Sequence, residues 1–83
     1  MKITVKTGGL LYEYLPPERT ANRATLEVAE AATPAQVMQD LGLPADGTYL
    51  VIVNGELVPV ERRGELRLAE GDLLSINPPL KGG

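Results

Sequence analysis

The sequence predicts an α+β fold, in which one main helix packs across one face of a sheet of four to five strands. Three observations support this prediction. Ile3 and Val5 alternate with polar residues at the start, which is the pattern of a half-buried strand. Residues 33–44 carry strong signals for the start and the end of a helix. An apolar run at residues 49–53 is followed by Asn54-Gly55, a strong hairpin signal.

The first half of the chain predicts two strands separated by a long connection. Gly8-Gly9 breaks the first strand, and residues 24–30 alternate again, with Leu26 and Val28 facing inward. The connection, residues 7–23, contains several apolar side chains, and we expect these to fold back over the core. They are Leu10, Leu11, Tyr12, Tyr14 and Leu15.

The helix is predicted from its capping residues. Thr33 is a preferred N-cap, Pro34 suits the first helical position, and Gln36 completes a capping box. Apolar residues follow at helical spacing. Gly-Leu-Pro at 42–44 predicts the end of the helix, with the leucine packing back on Met38.

The second half predicts a hairpin and a final strand. The turn at Asn54-Gly55 leads into a returning strand, expected at the sheet edge because Pro59 has no N–H to donate. A short apolar–polar–apolar segment at 66–68 and a last strand at 73–76 follow. The returning strand is expected to contain Leu57, Val58 and Val60.

The composition excludes several classes of function. The 83 residues include no Cys and no His, which excludes thiol nucleophiles, zinc centres and histidine acid–base catalysis. A net charge of −3 with scattered basic residues argues against nucleic-acid binding. No apolar run approaches the roughly 18 residues of a membrane span. The opening residues lack the apolar block of a signal peptide, so we expect a cytoplasmic protein.

The remaining charged and aromatic residues have simpler explanations than catalysis. The charge run at 61–65 is expected to be a solvated surface loop. Asp40, Asp46 and Asp72 each lie beside a predicted cap or turn, where carboxylates bond to local backbone, so neither a metal site nor a bound cofactor is expected. Tyr12 and Tyr14 are expected to pack rather than to transfer protons.

The last six residues are the strongest candidate for function. Pro78 and Pro79 favour an extended conformation, and Gly82 and Gly83 have no side chains, so their backbone can enter a narrow slot. The Gly83 carboxylate is ionised at neutral pH. We therefore predict a domain at residues 1–77 and a flexible functional tail at 78–83. The alternative is a frayed terminus without function.

Three segments resemble the MoaD/ThiS family of ubiquitin-like sulfur carriers. They are residues 53–56 (Val-Asn-Gly-Glu), residues 68–72 (Leu-Ala-Glu-Gly-Asp) and residues 77–83 (Asn-Pro-Pro-Leu-Lys-Gly-Gly). The resemblance implies a β-grasp fold, a mixed sheet whose first and last strands lie side by side and parallel. It also implies a carrier rather than an enzyme, with Gly83 as the site of adenylation and thiocarboxylation.

The resemblance also implies the partners of this carrier. An E1-like adenylating enzyme would use ATP to activate Gly83, a sulfur donor would supply the sulfur, and a larger synthase subunit or another sulfur-accepting enzyme would consume it. The tail that enters these partners would be Pro78, Pro79, Leu80, Lys81 and Gly82. The double proline is more similar to the molybdopterin synthase small subunit than to the thiamine carrier, although Asn77 and Lys81 depart from that pattern.

Four functions stay open at this point. The first is sulfur transfer in molybdenum or tungsten cofactor biosynthesis, and the second is sulfur transfer to thiamine, tRNA or amino-acid products. The third is a ubiquitin-like modifier joined through Gly83 to lysine side chains. The fourth is a passive interaction module.

Overall fold

A computed structural model describes residues 1–44 and 48–79 of the chain. The strands within these ranges are β1 (Lys2–Thr7), β2 (Arg23–Glu27), β3 (Leu50–Val53), β4 (Glu56–Leu57) and β5 (Leu73–Asn77). The α-helix α1 spans Pro34–Asp40, and short 3-10 helices span Leu11–Tyr14 and Val60–Arg62.

The strands form one mixed sheet in the order β2-β1-β5-β3-β4. β1 and β5 pair in parallel, and the other neighbouring strands are antiparallel. β1 and β5, the first and last strands along the chain, therefore lie side by side in the middle of the sheet. This arrangement confirms the predicted fold class, including the parallel central pair.

The core lies between the sheet and α1. Alternate residues of the strands are buried on this face, and Val37 and Met38 of α1 are buried with them. Because α1 has only seven residues, its stability depends on this packing. The strand residues that are at most 1% exposed are Ile3, Val5, Val51, Leu74 and Ile76.

The caps of α1 follow the prediction at both ends, with one correction. The Thr33 hydroxyl accepts from the backbone N–H of Gln36 at 3.2 Å. The Gln36 side chain donates forward to Asp40 at 2.9 Å, one turn along the helix, so the reciprocal half of the predicted capping box is not formed. Gly42 has a φ of +82°, and the N–H of Leu43 donates to the carbonyl of Met38 at 3.0 Å, which ends the helix in a Schellman turn.

Three predicted segments differ in the structure. β2 ends at Glu27, while the next residue still donates to the Met1 carbonyl at 2.8 Å. The returning strand β4 is an edge as predicted but has only two residues, because the chain turns at Pro59 and Val60 begins a 3-10 helix. Residues 66–68 form no strand, and Leu68 is buried in an irregular segment.

The long connection covers the core only in part. Leu11 and Leu15 are buried, and Tyr12 packs against the core from a partly buried position. Leu10 and Tyr14 are instead 70% and 37% exposed. Leu10 precedes the 3-10 helix at Leu11–Tyr14, and the tight turn of that helix directs only some of its side chains inward.

Candidate functional site

The tail begins at the centre of the sheet. β5 ends at Asn77, which pairs with Leu50 of β3, while Ile76 pairs with Thr7 of β1. Pro78 is partly buried and Pro79 is exposed. The segment that follows therefore starts at the carboxyl end of the two parallel strands. The predicted site residues Leu80, Lys81, Gly82 and Gly83 lie outside the described residues, so their roles stay predictions.

One row of side chains crosses the sheet face opposite the helix, with one residue from each strand. The strand register pairs Arg23 with Lys6, Lys6 with Ser75, Ser75 with Ile52, and Ile52 with Leu57. Their chain neighbours Val5, Val51, Val58 and Leu74 are buried in the core, so the row lies on the other face. We call these five residues, Arg23, Lys6, Ser75, Ile52 and Leu57, the transverse row.

The transverse row is cationic at one end and apolar at the other. Lys6 and Arg23 lie directly opposite each other, a like-charge pairing that is destabilising in a sheet. Within the described residues neither of them forms an ion pair. At the other end Leu57 is 62% exposed. Two cations and an exposed leucine therefore share one face of a chain whose net charge is −3.

Asp72 bonds to local backbone and Tyr12 packs as expected from the sequence, whereas Asp40 bonds to a side chain and Tyr14 is exposed. Asp72 accepts from the backbone N–H of Ala69 at 2.8 Å, and Asp40 accepts from Gln36. Tyr12 lies under the guanidinium of Arg19, 4.9 Å from ring centroid to Cζ. In residues 1–44 and 48–79 no three acidic side chains converge on a possible metal position. Asp46 lies outside the described residues.

A family model described as Mut7-C ubiquitin matches residues 1–81. The chain belongs to the Mut7-C ubiquitin family. A search of curated proteins finds no match.

Three solved structures share the ubiquitin-like fold of this family member. Small archaeal modifier protein 1 of Haloferax volcanii is 21% identical with a TM-score of 0.69, over 95% of this chain and 98% of that one. The thiamine biosynthesis protein ThiS of Geobacter metallireducens is 19% identical with a TM-score of 0.68, over 100% and 99%. A complex of subunits 1 and 2 of the molybdopterin-converting factor from Helicobacter pylori contains a chain that is 18% identical with a TM-score of 0.62, over 100% of both. These likenesses confirm the MoaD/ThiS-type fold.

The structure corrects one expectation about charge in this family member. Arg63 belongs to the charge run expected to be solvated, yet it is only 8% exposed. Its guanidinium donates to the backbone carbonyls of Val58 and Tyr49, and its own carbonyl accepts from the N–H of Ala35 at 2.9 Å. Arg63 thus ties the start of α1 to two strand segments. The charge run gives no signal that separates Arg63 from the exposed Arg62 beside it.

None of the helices in the described ranges is long and apolar enough to cross a membrane.

Proposed function

We propose that this Mut7-C ubiquitin chain is a carrier protein whose Gly83 carboxylate is adenylated and then converted to a thiocarboxylate. The sulfur would be donated in molybdopterin biosynthesis for the molybdenum or tungsten cofactor. One observation carries the proposal: the segment ending in Gly82-Gly83 starts from the central strand β5, beside the transverse row. A partner that binds this face has the start of the tail within its interface.

The proposed chemistry needs no catalytic group from the chain. A carboxylate is a poor electrophile, so an E1-like adenylating enzyme would first join Gly83 to the AMP of ATP and release pyrophosphate. A sulfur donor would then supply hydrosulfide, which attacks the carbonyl carbon, displaces AMP and loses its proton, leaving a thiocarboxylate. With no cysteine in the sequence, the carried sulfur has to reside on the chain end.

The transverse row supports a docking role for the sheet face. Its apolar end offers Ile52 and Leu57 for burial, and its cationic end offers Lys6 and Arg23 for pairing with partner carboxylates. The H. pylori structure is a complex of two molybdopterin-converting factor subunits, so one chain of this fold type is known with a second subunit. We infer that a larger subunit binds the sheet face of this chain.

Intact-mass analysis tests the proposal directly. The chain is incubated with ATP, a sulfur source and an adenylating enzyme of the same organism, after its mass has established that it ends at Gly83. The expected product has one oxygen replaced by sulfur, located on the last peptide. A variant lacking Gly82 and Gly83 is the control and should stay unmodified. An unmodified full-length chain under conditions that thiolate an authentic carrier would overturn the proposal.

Gly82→Ala separates the tail from the fold. The added methyl group would narrow the fit of the tail in a constricted channel, so adenylation should slow while the thermal midpoint stays unchanged. Adenylation at the parent rate would contradict a narrow channel.

A ubiquitin-like modifier is the second candidate, favoured by the likeness to the archaeal modifier protein. The same activated Gly83 would then react with a lysine amine rather than with a sulfur donor. Branched peptides carrying the Gly82-Gly83 remnant on lysines would support this candidate. A thiocarboxylate without such branches would support the carrier.

A further inference from the structure

The start of the tail rests on two glycines at the end of β1. The N–H of Gly8 donates to the carbonyl of Ile76 at 3.0 Å, which continues the parallel pairing beyond the strand. A Cβ on Gly8 would overlap Oδ1 of Asn77 and would lie 3.3 Å from Cδ of Pro78. A Cβ on Gly9, which has a φ of +54°, would lie 3.1 Å from Cγ of Pro78. The backbone at these two positions is therefore in direct contact with Asn77, the last residue of β5, and with Pro78, the first residue of the tail.

The same segment is fixed to the core on its other side. The buried Thr7 donates its N–H to the carbonyl of Asn22 at 2.9 Å, and the Asn22 side chain donates to the Thr7 carbonyl at 2.6 Å. The carbonyl of Gly8 accepts from the N–H of Leu11, a buried residue, at 3.1 Å. These bonds hold residues 7–9 in place, so Pro78 meets a fixed surface rather than a mobile loop.

The contact with Pro78 sets the direction of the chain because a proline ring restricts the backbone. The ring of Pro78 fixes its own φ and restricts Asn77 to extended conformations. Contact with the ring therefore sets the position at which the chain leaves the sheet and also its direction. If a partner draws out residues 78–83 to their full reach of roughly 20 Å, a tilt of about 10° at the root displaces the end by about 3 Å.

We propose that Gly8 and Gly9 form a side-chain-free seat for Asn77 and Pro78, and that this seat directs the tail so that Gly83 reaches the activating site while the transverse row is docked. The two glycines act as positioning residues and contact neither substrate nor reacting atoms. This inference rests on the proposed function and adds the contact that sets the direction of the tail.

The first test compares matched substitutions at Gly8 and Gly64. Gly64 has no atom within 4 Å of a built Cβ and no positive φ, so Gly64→Ala and Gly64→Val are the controls. Pyrophosphate release by the adenylating enzyme gives kcat and KM for each variant. Gly8→Val should lower kcat/KM about 10- to 100-fold, mostly through kcat because none of the five transverse-row residues is changed, and Gly8→Ala should lower it less. The Gly64 variants should match the parent.

A second substitution tests the contact itself. Asn77→Ala removes Oδ1, the atom that a methyl group on Gly8 would overlap, while Cδ of Pro78 stays, so Gly8→Ala/Asn77→Ala should regain most of the rate that Gly8→Ala loses. Thermal melts accompany every variant. An equal rate loss in the double variant, or activation of Gly8→Val at the parent rate, would overturn the seat.

A third measurement needs no enzyme and separates this inference from the proposed function. The sequence has no cysteine, so Lys81→Cys accepts a single nitroxide, whose broadening of backbone amide signals reports where the tail lies. Gly8→Val should change the pattern of broadened amides, and Gly64→Val should preserve it. An unchanged pattern in Gly8→Val overturns the seat even where activation fails. A changed pattern in a chain that no adenylating enzyme activates overturns the carrier function and supports the seat.

Discussion

Hydrogen bonds between the side chain of Asn54 and both Asp72 and Leu73 join the β3–β4 turn to the start of β5, and we call them the polar clip. Asn54, with a φ of +50°, accepts from the N–H of Leu73 through Oδ1 and donates through Nδ2 to Oδ1 of Asp72, both at 2.9 Å. The second carboxylate oxygen of Asp72 accepts from Ala69. The isosteric substitution Asn54→Asp tests this clip, because it replaces only the Nδ2 donor with an oxygen.

The cost follows from the geometry. Two carboxylate oxygens would face each other at the 2.9 Å now spanned by the hydrogen bond. For side chains near the surface, Coulomb repulsion at this separation is about 1.4 kcal/mol with the dielectric constant of water. Loss of a hydrogen bond to a charged acceptor adds about 1.5 kcal/mol. We expect Asn54→Asp to lower the free energy of unfolding by about 2–3 kcal/mol at pH 7.

The stability deficit of Asn54→Asp depends on pH. Folding brings the two carboxylates of the variant together, so its folded state binds a proton more readily than its unfolded state. The deficit relative to the parent is therefore present at pH 7 and shrinks as the pH falls toward about 4, where carboxyl groups begin to protonate. Urea unfolding of both proteins across this range measures it.

The charge-swapped double variant is the control. Asn54→Asp/Asp72→Asn restores one carboxylate facing one amide, so most of the lost stability should return. A deficit that is constant with pH, or a double variant as unstable as Asn54→Asp, would show that the clip does not form in solution.

Three further predictions concern the core and the helix. Leu74→Ala should cost about 3–4 kcal/mol in urea unfolding because the side chain is fully buried, whereas Leu57→Ala should change it by less than about 0.5 kcal/mol. Thr33→Ala removes the N-cap bond and should cost about 1 kcal/mol, with Thr33→Ser recovering most of it. Arg63→Met keeps the unbranched apolar stem of the side chain but loses its bonds to two carbonyls, so it should lower the thermal midpoint, at a cost of about 2 kcal/mol. A midpoint at the parent value would contradict a structural role for Arg63.

The elements that the sequence predicts well are those specified by neighbouring residues. Thr33 and Gly42 mark the two ends of α1, and Asn54-Gly55 adopts the paired positive φ values of +50° and +87° that a tight hairpin needs. The strand predictions are wrong where residues of high strand propensity lie beyond the point at which the chain turns. Val60 has high strand propensity, but the chain turns at Pro59 and Val60 begins a 3-10 helix instead of continuing β4.

The candidate site likewise has one part that the sequence predicts and another that only the tertiary structure shows. The sequence alone predicts a functional tail at residues 78–83 and the chemistry of its chain end, and these stay predictions. Only the tertiary structure brings Gly8, Ile76 and Pro78 together, opposes Lys6 to Arg23, and buries Arg63 among backbone carbonyls. Caps and turns are stabilised by atoms a few residues apart, so the local sequence determines them. Pairing between β1 and β5 joins residues about seventy positions apart, and only the packing of the whole sheet selects their register.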